Sequence, residues 1–187
     1  MIAANNIDLS LDDSQMVWID DGARSKSFFC KNAPVLVGKR QIEKLKEVAF
    51  ALRGEKNVRL CMHNDPDAVF HNMIVLEHAD KYYRPHQHPS KGETFHIIEG
   101  SMAVIVFGAQ GVVINASILR ADENFIYRVD ANTCHAVMPI SGIVVYHESK
   151  PGPFTPHSDI FPSWAPEPSN MEAIIKYKEE MKKVLRI

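Results

Sequence analysis

From Val58 to Lys150 the chain is a succession of short apolar runs broken by turn residues, with no helical period between them. Met73-Ile-Val-Leu-Glu-His78, Thr94-Phe-His-Ile-Ile98, Ser101-Met-Ala-Val-Ile-Val-Phe107, Val112-Val-Ile114, Ala116-Ser-Ile-Leu119, Phe125-Ile-Tyr-Arg-Val129 and Ile143-Val-Val-Tyr-His147 are rich in β-branched and aromatic residues, as strands are. Glu99-Gly100 and Gly108-Ala-Gln-Gly111 are turn signals between such runs. Strands at this spacing, without helices between them, predict an all-β sandwich or barrel built from antiparallel hairpins. The 187 residues, 45% hydrophobic and 24% charged, are enough for one domain with a core that needs no disulfide or metal staple.

The flanks read differently. Residues 1–33 are polar apart from Met16-Val-Trp18-Ile19, which predicts an extra strand or arm. After Pro34, Ile42, Leu45, Val48, Ala49 and Leu52 recur at helical spacing, with Gly54 placed to cap the helix. Six prolines between Pro151 and Pro168 exclude regular structure there. A second helix is expected beyond them, opened by a Ser169/Glu172 capping box, with Met171, Ile174, Ile175, Lys178 and Met181 along one side. That stripe would close a barrel end or meet a second subunit. The expected organisation is an arm over 1–33, a central domain over 34–168 and a C-terminal helix over 169–187.

A net charge of −2 excludes an overall basic field for nucleic acid. Cys30, Cys61 and Cys134 are odd in number and widely spaced, unlike a disulfide framework. No basic-then-apolar leader opens the chain, and the longest aliphatic run, Met102 to Phe107, is too short for a bilayer, so the cytoplasm is the expected compartment.

Of nine histidines, eight fall between His63 and His147. The informative stretch is His86-Gln-His88-Pro-Ser-Lys-Gly-Glu93. Alternation along a strand sends His86 and His88 to the same side, so both imidazoles can grip one ion. Glu93 can return a carboxylate across the Pro-Ser-Lys-Gly turn, and His135, after Asp130-Ala-Asn-Thr-Cys134, is the candidate fourth ligand from another strand. Three imidazoles and one carboxylate suit Fe(II), Mn(II), Ni(II), Co(II) or Zn(II) and leave positions open for water or a substrate oxygen.

These residues resemble the cupin superfamily. Asp80, His86, His88, Glu93 and Gly100 stand at the spacings of cupin motif one, with Asp80 in place of its first glycine. Asn124, Asp130, Asn132, His135 and Pro139 occupy the positions of motif two, where only the histidine is kept. Asn132 replaces the turn glycine and is the residue next best able to take a left-handed backbone. The resemblance implies a double-stranded β-helix, a jelly-roll barrel, with the metal inside and flanking N- and C-terminal helices. Tyr83-Arg-Pro-His-Gln-His-Pro-Ser-Lys-Gly-Glu-Thr-Phe95, His147-Glu-Ser-Lys-Pro-Gly-Pro-Phe154 and Phe161-Pro-Ser-Trp-Ala-Pro166 further resemble the WbuC family of cupin metalloproteins, as does Arg59-Leu-Cys-Met-His63 with Pro66 and Asp67. That likeness covers roughly residues 34–168. It implies a link to O-antigen or other surface-polysaccharide synthesis, and cupins commonly form homodimers through sheets or swapped arms.

Around the expected centre, Arg84 shares strand parity with both histidines and could clamp a phosphate or carboxylate. Lys91 in the ligand turn and His63 ahead of the barrel are further candidates for binding substrate. Tyr146 and Glu148 share one face of the last strand and His147 the other; either face could supply a general acid or base. His96 is expected on the outer face, and Cys134 as a small buried hydrophobe rather than a nucleophile. No serine triad, P-loop or dinucleotide fingerprint is present. Two functional classes follow. One is a metalloenzyme acting on a small polar substrate such as a sugar or sugar nucleotide, by isomerisation, epimerisation or oxygenation, with Glu148 and Tyr146 as catalytic candidates. The other is a metal-dependent sugar-binding or regulatory module without turnover.

Overall fold

The alternating runs become the strands of two facing sheets. The structure, a computed structural model, describes residues 9–22, 25–155 and 159–187. Its elements in chain order are β1 (Val17–Asp21), β2 (Ser25–Cys30), α1 (Lys39–Ala51), β3 (Asn57–Cys61), β4 (Phe70–His78), β5 (Glu93–Glu99), β6 (Ser101–Phe107), a 3-10 turn (Ala109–Gly111), β7 (Val113–Arg120), β8 (Ile126–Val129), β9 (Cys134–Pro139), β10 (Ile143–Pro151) and α2 (Met171–Leu185). One sheet has the order β1-β2-β3-β4-β10-β5-β8 and the other β7-β6-β9. An isolated bridge between His86 and His135 extends the second sheet beyond β9. All pairings are antiparallel except β2 with β3.

Three apolar clusters explain the layering. Met73, Val75, Phe95, Ile97, Met102, Val104, Leu119, Val144 and Tyr146 meet between the sheets. On the outside of the larger sheet, Ile42, Leu45 and Ala49 of α1 pack on Val58, Leu60, Ile74, Leu76 and Val145. On the outside of the smaller one, Met181 of α2 joins Ala103, Ile105, Phe107, Ala136 and Met138. This is the expected all-β jelly-roll core, with a helix on each outer face.

Details depart from the sequence pattern. The first helix closes at Leu52, and both Arg53 (φ 51°) and Gly54 (φ 71°) are left-handed, so the turn spans two residues where one capping glycine was expected. The second helix is capped by Asn170, whose side chain accepts the Ala173 N–H at 3.1 Å, instead of by Ser169. Met171 and Ile175 of its stripe remain exposed, while Ile174 and Met181 are buried. Val112-Val-Ile114 and Ala116-Ser-Ile-Leu119 merge into one strand, β7. Strands β2 and β9 carry too little alternation to be read from sequence. The first eight residues of the expected arm lie outside the described residues; Val17–Asp21 within it forms β1, an edge strand.

Gly100 is the turn at which the chain crosses from β5 in the larger sheet to β6 in the smaller one, where the sequence pattern suggests a hairpin. Its φ is 78°, and a Cβ there would lie 2.5 Å from the Ile143 carbonyl oxygen and closer still to Ser141 Oγ. Gly100→Ala is therefore expected to cost roughly 2–5 kcal/mol, from left-handed strain together with overpacking. Urea unfolding checks this; an unchanged midpoint would show that the turn relaxes freely.

Candidate metal centre

His86, His88, Glu93 and His135 converge inside the barrel, each offering a ligand atom, with those atoms within 4.8 Å of one another. Backbone pairing brings them together from distant parts of the chain. His86 N–H donates to the His135 carbonyl at 2.9 Å and His135 N–H to that of His86 at 2.8 Å. Asn132, left-handed at φ 60° as the motif position requires, donates its N–H to the His88 carbonyl at 2.8 Å. Glu93 opens β5 with its side chain on the Phe95–Ile97 face, so alternation aims it inward.

The ring contacts assign the protons. His86 Nδ1 donates to the Arg84 carbonyl at 3.0 Å and His135 Nδ1 to that of Thr133 at 2.9 Å. His88 Nδ1 lies 2.8 Å from Asp159 Oδ1, a carboxylate–imidazole pair. With every Nδ1 engaged outward, the Nε2 atoms are left for the centre. This is the arrangement by which metal-bound histidines are oriented and made more basic. His88 Nε2 is buried and has no hydrogen-bond partner, while His135 Nε2 sits 2.5 Å from Glu93 Oε1. A buried donor set of three nitrogens and one carboxylate, one of its nitrogens orphaned, fits a divalent transition ion.

The electrostatics agree. Burial alone would raise the Glu93 carboxyl, but the His135 hydrogen bond, the nearby His88 ring and the charge of Lys150 outweigh it and hold the group well below the usual carboxylate range. Burial opposes charge on His88, yet Asp159 and Glu93 push it up to about 9.

The structure decides which face of β10 looks inward. Tyr146 packs edge-on against Phe95 at 5.9 Å, and Glu148 lies two residues on along the same face. Lys150, next in parity, places its Nζ 2.6 Å from Glu148 Oε1 and 3.4 Å from Glu93 Oε2. His147 faces the other way, toward Asn72 Oδ1 at 3.2 Å. His96 is exposed beside Phe125 at 5.5 Å, and Cys134 packs at the margin of the α2 cluster.

The other candidates are placed around the rim. Arg84 turns toward the segment after the barrel, donating to both Glu167 carboxylate oxygens at 2.6 and 2.9 Å and stacking 4.9 Å above Phe161. Lys91 Nζ donates to the Pro153 carbonyl, tying the ligand turn to the end of β10. The His63 ring stacks on His71 at 4.3 Å and accepts the Asn72 N–H at Nδ1, so it is held in place rather than free. Two groups touching the donor set escaped the sequence reading, Lys150 and Asp159. Lys150 shares parity with Tyr146 and Glu148 and was available once the inward face was known. Asp159 sits in the proline-rich stretch, where no period exists.

A family model described as a domain of unknown function (DUF6016) matches residues 40–119. No curated protein matches the sequence. Among solved structures, the chain is similar to the capsular polysaccharide assembling protein CapF from Staphylococcus aureus, with 14% identity over 55% of this chain and 29% of that one and a TM-score of 0.48. It is similar to oxalate decarboxylase from Lactobacillus farciminis, with 18% identity over 64% of this chain and 32% of that one and a TM-score of 0.41. It is also similar to procruciferin, an 11S globulin from Brassica napus, with 10% identity over 45% and 21% and a TM-score of 0.38. The chain thus spans about a third or less of each of these proteins. Among the described residues, no helix is long and apolar enough to cross a membrane.

Proposed function

We propose that this protein is a cupin-type metalloprotein that holds one divalent transition ion on His86, His88, Glu93 and His135 and acts on a small polar substrate, a sugar or sugar nucleotide of surface-polysaccharide metabolism. The observation that carries the metal reading is the outward engagement of all three Nδ1 atoms, which turns three imidazole Nε2 atoms toward one buried carboxylate. Such an ion would supply a Lewis acid with open positions for a substrate oxygen. The substrate class rests on the WbuC-like segments, which carry His86, His88, Glu93, Glu148 and Lys150.

The chain's own groups set what chemistry is open to it. Lys150 Nζ, raised above its ordinary value by Glu148 and Glu93, keeps its proton and holds Glu148 Oε1 at 2.6 Å, which leaves the Glu148 carboxylate as the acid–base group at the inner edge of the centre. Tyr146 is a donor only: burial, Glu77 and Glu148 push its phenol well above the ordinary value, so the hydroxyl stays protonated. These roles fit isomerisation or epimerisation better than an acid-independent reaction. Oxygenation would use Glu148 and Lys150 only to hold the substrate. Lys91 and His63 would contact the substrate's outer part, whereas a ligand anion at Arg84 must displace Glu167. One observation favours the second reading, a binding module without turnover. Tyr146 and Glu148 are only 2% and 5% exposed, so a hexose must open the barrel before touching either.

Elemental analysis of protein purified without a histidine tag tests the metal. Wild type is expected to carry close to one equivalent and His88→Ala far less; equal, negligible contents in both would refute the site. A screen of nucleotide sugars against the metal-loaded protein separates the readings: product formation supports an enzyme, and saturable binding without product supports the module.

A further inference from the structure

The barrel interior is charge-balanced before any ion enters it. Alternation on β3 sends Val58 and Leu60 under α1 and Cys61 into the barrel cluster, so Arg59 shares the inner face. Among the described residues, Arg59 has no ion pair, and its Nε is buried without a partner. Lys150 is the second interior cation, bound to Glu148 and Glu93 with one ammonium proton left over. Against these two cations stand two carboxylates, Glu93 and Glu148, which are 3% and 5% exposed. The third, Glu77, is pushed up to about 8 by burial despite Arg59 nearby, and is therefore mainly neutral at pH 7. At the rim, Asp159 stands 2.8 Å from His88 Nδ1 with its side chain 39% exposed.

A divalent ion on the four donors adds two positive charges, and the partly exposed Asp159 beside His88 answers only one of them. Uncompensated charge in a low-dielectric interior costs several kcal/mol, and the remaining charge can be met by loss of the Glu77 proton or by a bound anion, for which Lys150 and Arg59 hold free donors. Resting on the metal reading above, we propose that the loaded barrel takes an anionic ligand, a small oxyanion of the carboxylate or phosphate type, held beside the centre by the free proton of Lys150 and the unpaired guanidinium of Arg59. A neutral sugar would leave that charge to Glu77 alone. Within the substrate class proposed above, the favoured members are therefore those that present an acid group or phosphate to the inner end of the barrel.

The test uses the full chain loaded with Co(II), titrated with acetate, inorganic phosphate and, as the neutral probe, xylose. Calorimetry and the visible Co(II) spectrum are the readouts. Acetate or phosphate is expected to bind saturably, at least tenfold more tightly than to the metal-free protein, and whichever binds better identifies the acid group. Lys150→Met, normalised to cobalt content, is expected to lose tenfold or more of that affinity, and Lys150→Arg to recover most of it. Glu77→Gln should bind the anion at least as well as wild type. Three results overturn the proposal with the metal reading intact: cobalt uptake without anion binding, equal anion binding by the metal-free protein, or undiminished binding by Lys150→Met and Arg59→Met together. Failure to take up cobalt at all, seen before any anion is added, overturns the metal reading and this proposal with it.

Discussion

Glu93→Gln is expected to lose more than about 100-fold in affinity for the divalent ion while Asp159→Asn loses about 10–100-fold, the usual effect of removing an outer partner of a ligating histidine. The difference follows from position. Glu93 is the only carboxylate in the donor set and sits 2.5 Å from His135, 3.4 Å from Lys150 and 3.5 Å from His88. An amide keeps its shape but removes the charge that all three neighbours face. Among the described residues Asp159 pairs only with His88 Nδ1, at 2.8 Å, so its loss frees a ring to rotate without removing a donor. Competition titrations with a chromophoric chelator measure both. Equal losses in the two variants would mean that Glu93 acts only as a brace for the histidines, and the ligand assignment would have to change.

The second large effect is on stability against pH. Glu77 is 3% exposed, and burial, opposed by Arg59, raises its carboxyl to about 8 from an ordinary 4.5. The folded protein thus keeps a proton that the unfolded chain releases. Its contribution is whole below pH 4.5, is lost progressively as pH rises to about 8, and is flat beyond. At 1.36 kcal/mol per unit, the fall is at most about 5 kcal/mol, an upper bound because Arg59 gains a closer partner as the proton leaves. Glu77→Gln imitates the protonated group at every pH. Its urea midpoint is expected to match wild type near pH 5 and exceed it at pH 9. A variant less stable than wild type at pH 9 would show that the ionised carboxylate is the native partner of Arg59.

The β core and the grouping of His86, His88 and Glu93 were legible because both depend on short-range pattern. Two-residue alternation marks strands, and the spacing from His86 through His88 to Glu93 survives any rearrangement of the rest of the chain. Asn132 could be read for its backbone preference alone, and φ 60° is what that preference requires. What could not be read depends on pairing between distant segments. No local feature shows that β2 runs parallel to β3, that Asp159 returns to His88, or that β10 turns its Tyr146 face inward. Helix ends slipped by a residue for a different reason: Ser169 and Asn170 are both good caps, and packing of Ile174 and Met181 decides between them.

The reciprocal backbone bonds between His86 and His135 also bear on how the chain reaches its folded state. The donor set is split across segments that meet only after β4, β5, β6, β9 and β10 have closed, so no early local unit of the chain contains it. Non-local closure of this kind is slow. An ion that binds only the finished barrel cannot guide its formation, but it can hold it shut afterwards. At a free concentration 100 times its dissociation constant, such an ion adds about 2.7 kcal/mol to the stability. Metal supply would then act on the lifetime of the folded protein as well as on its chemistry.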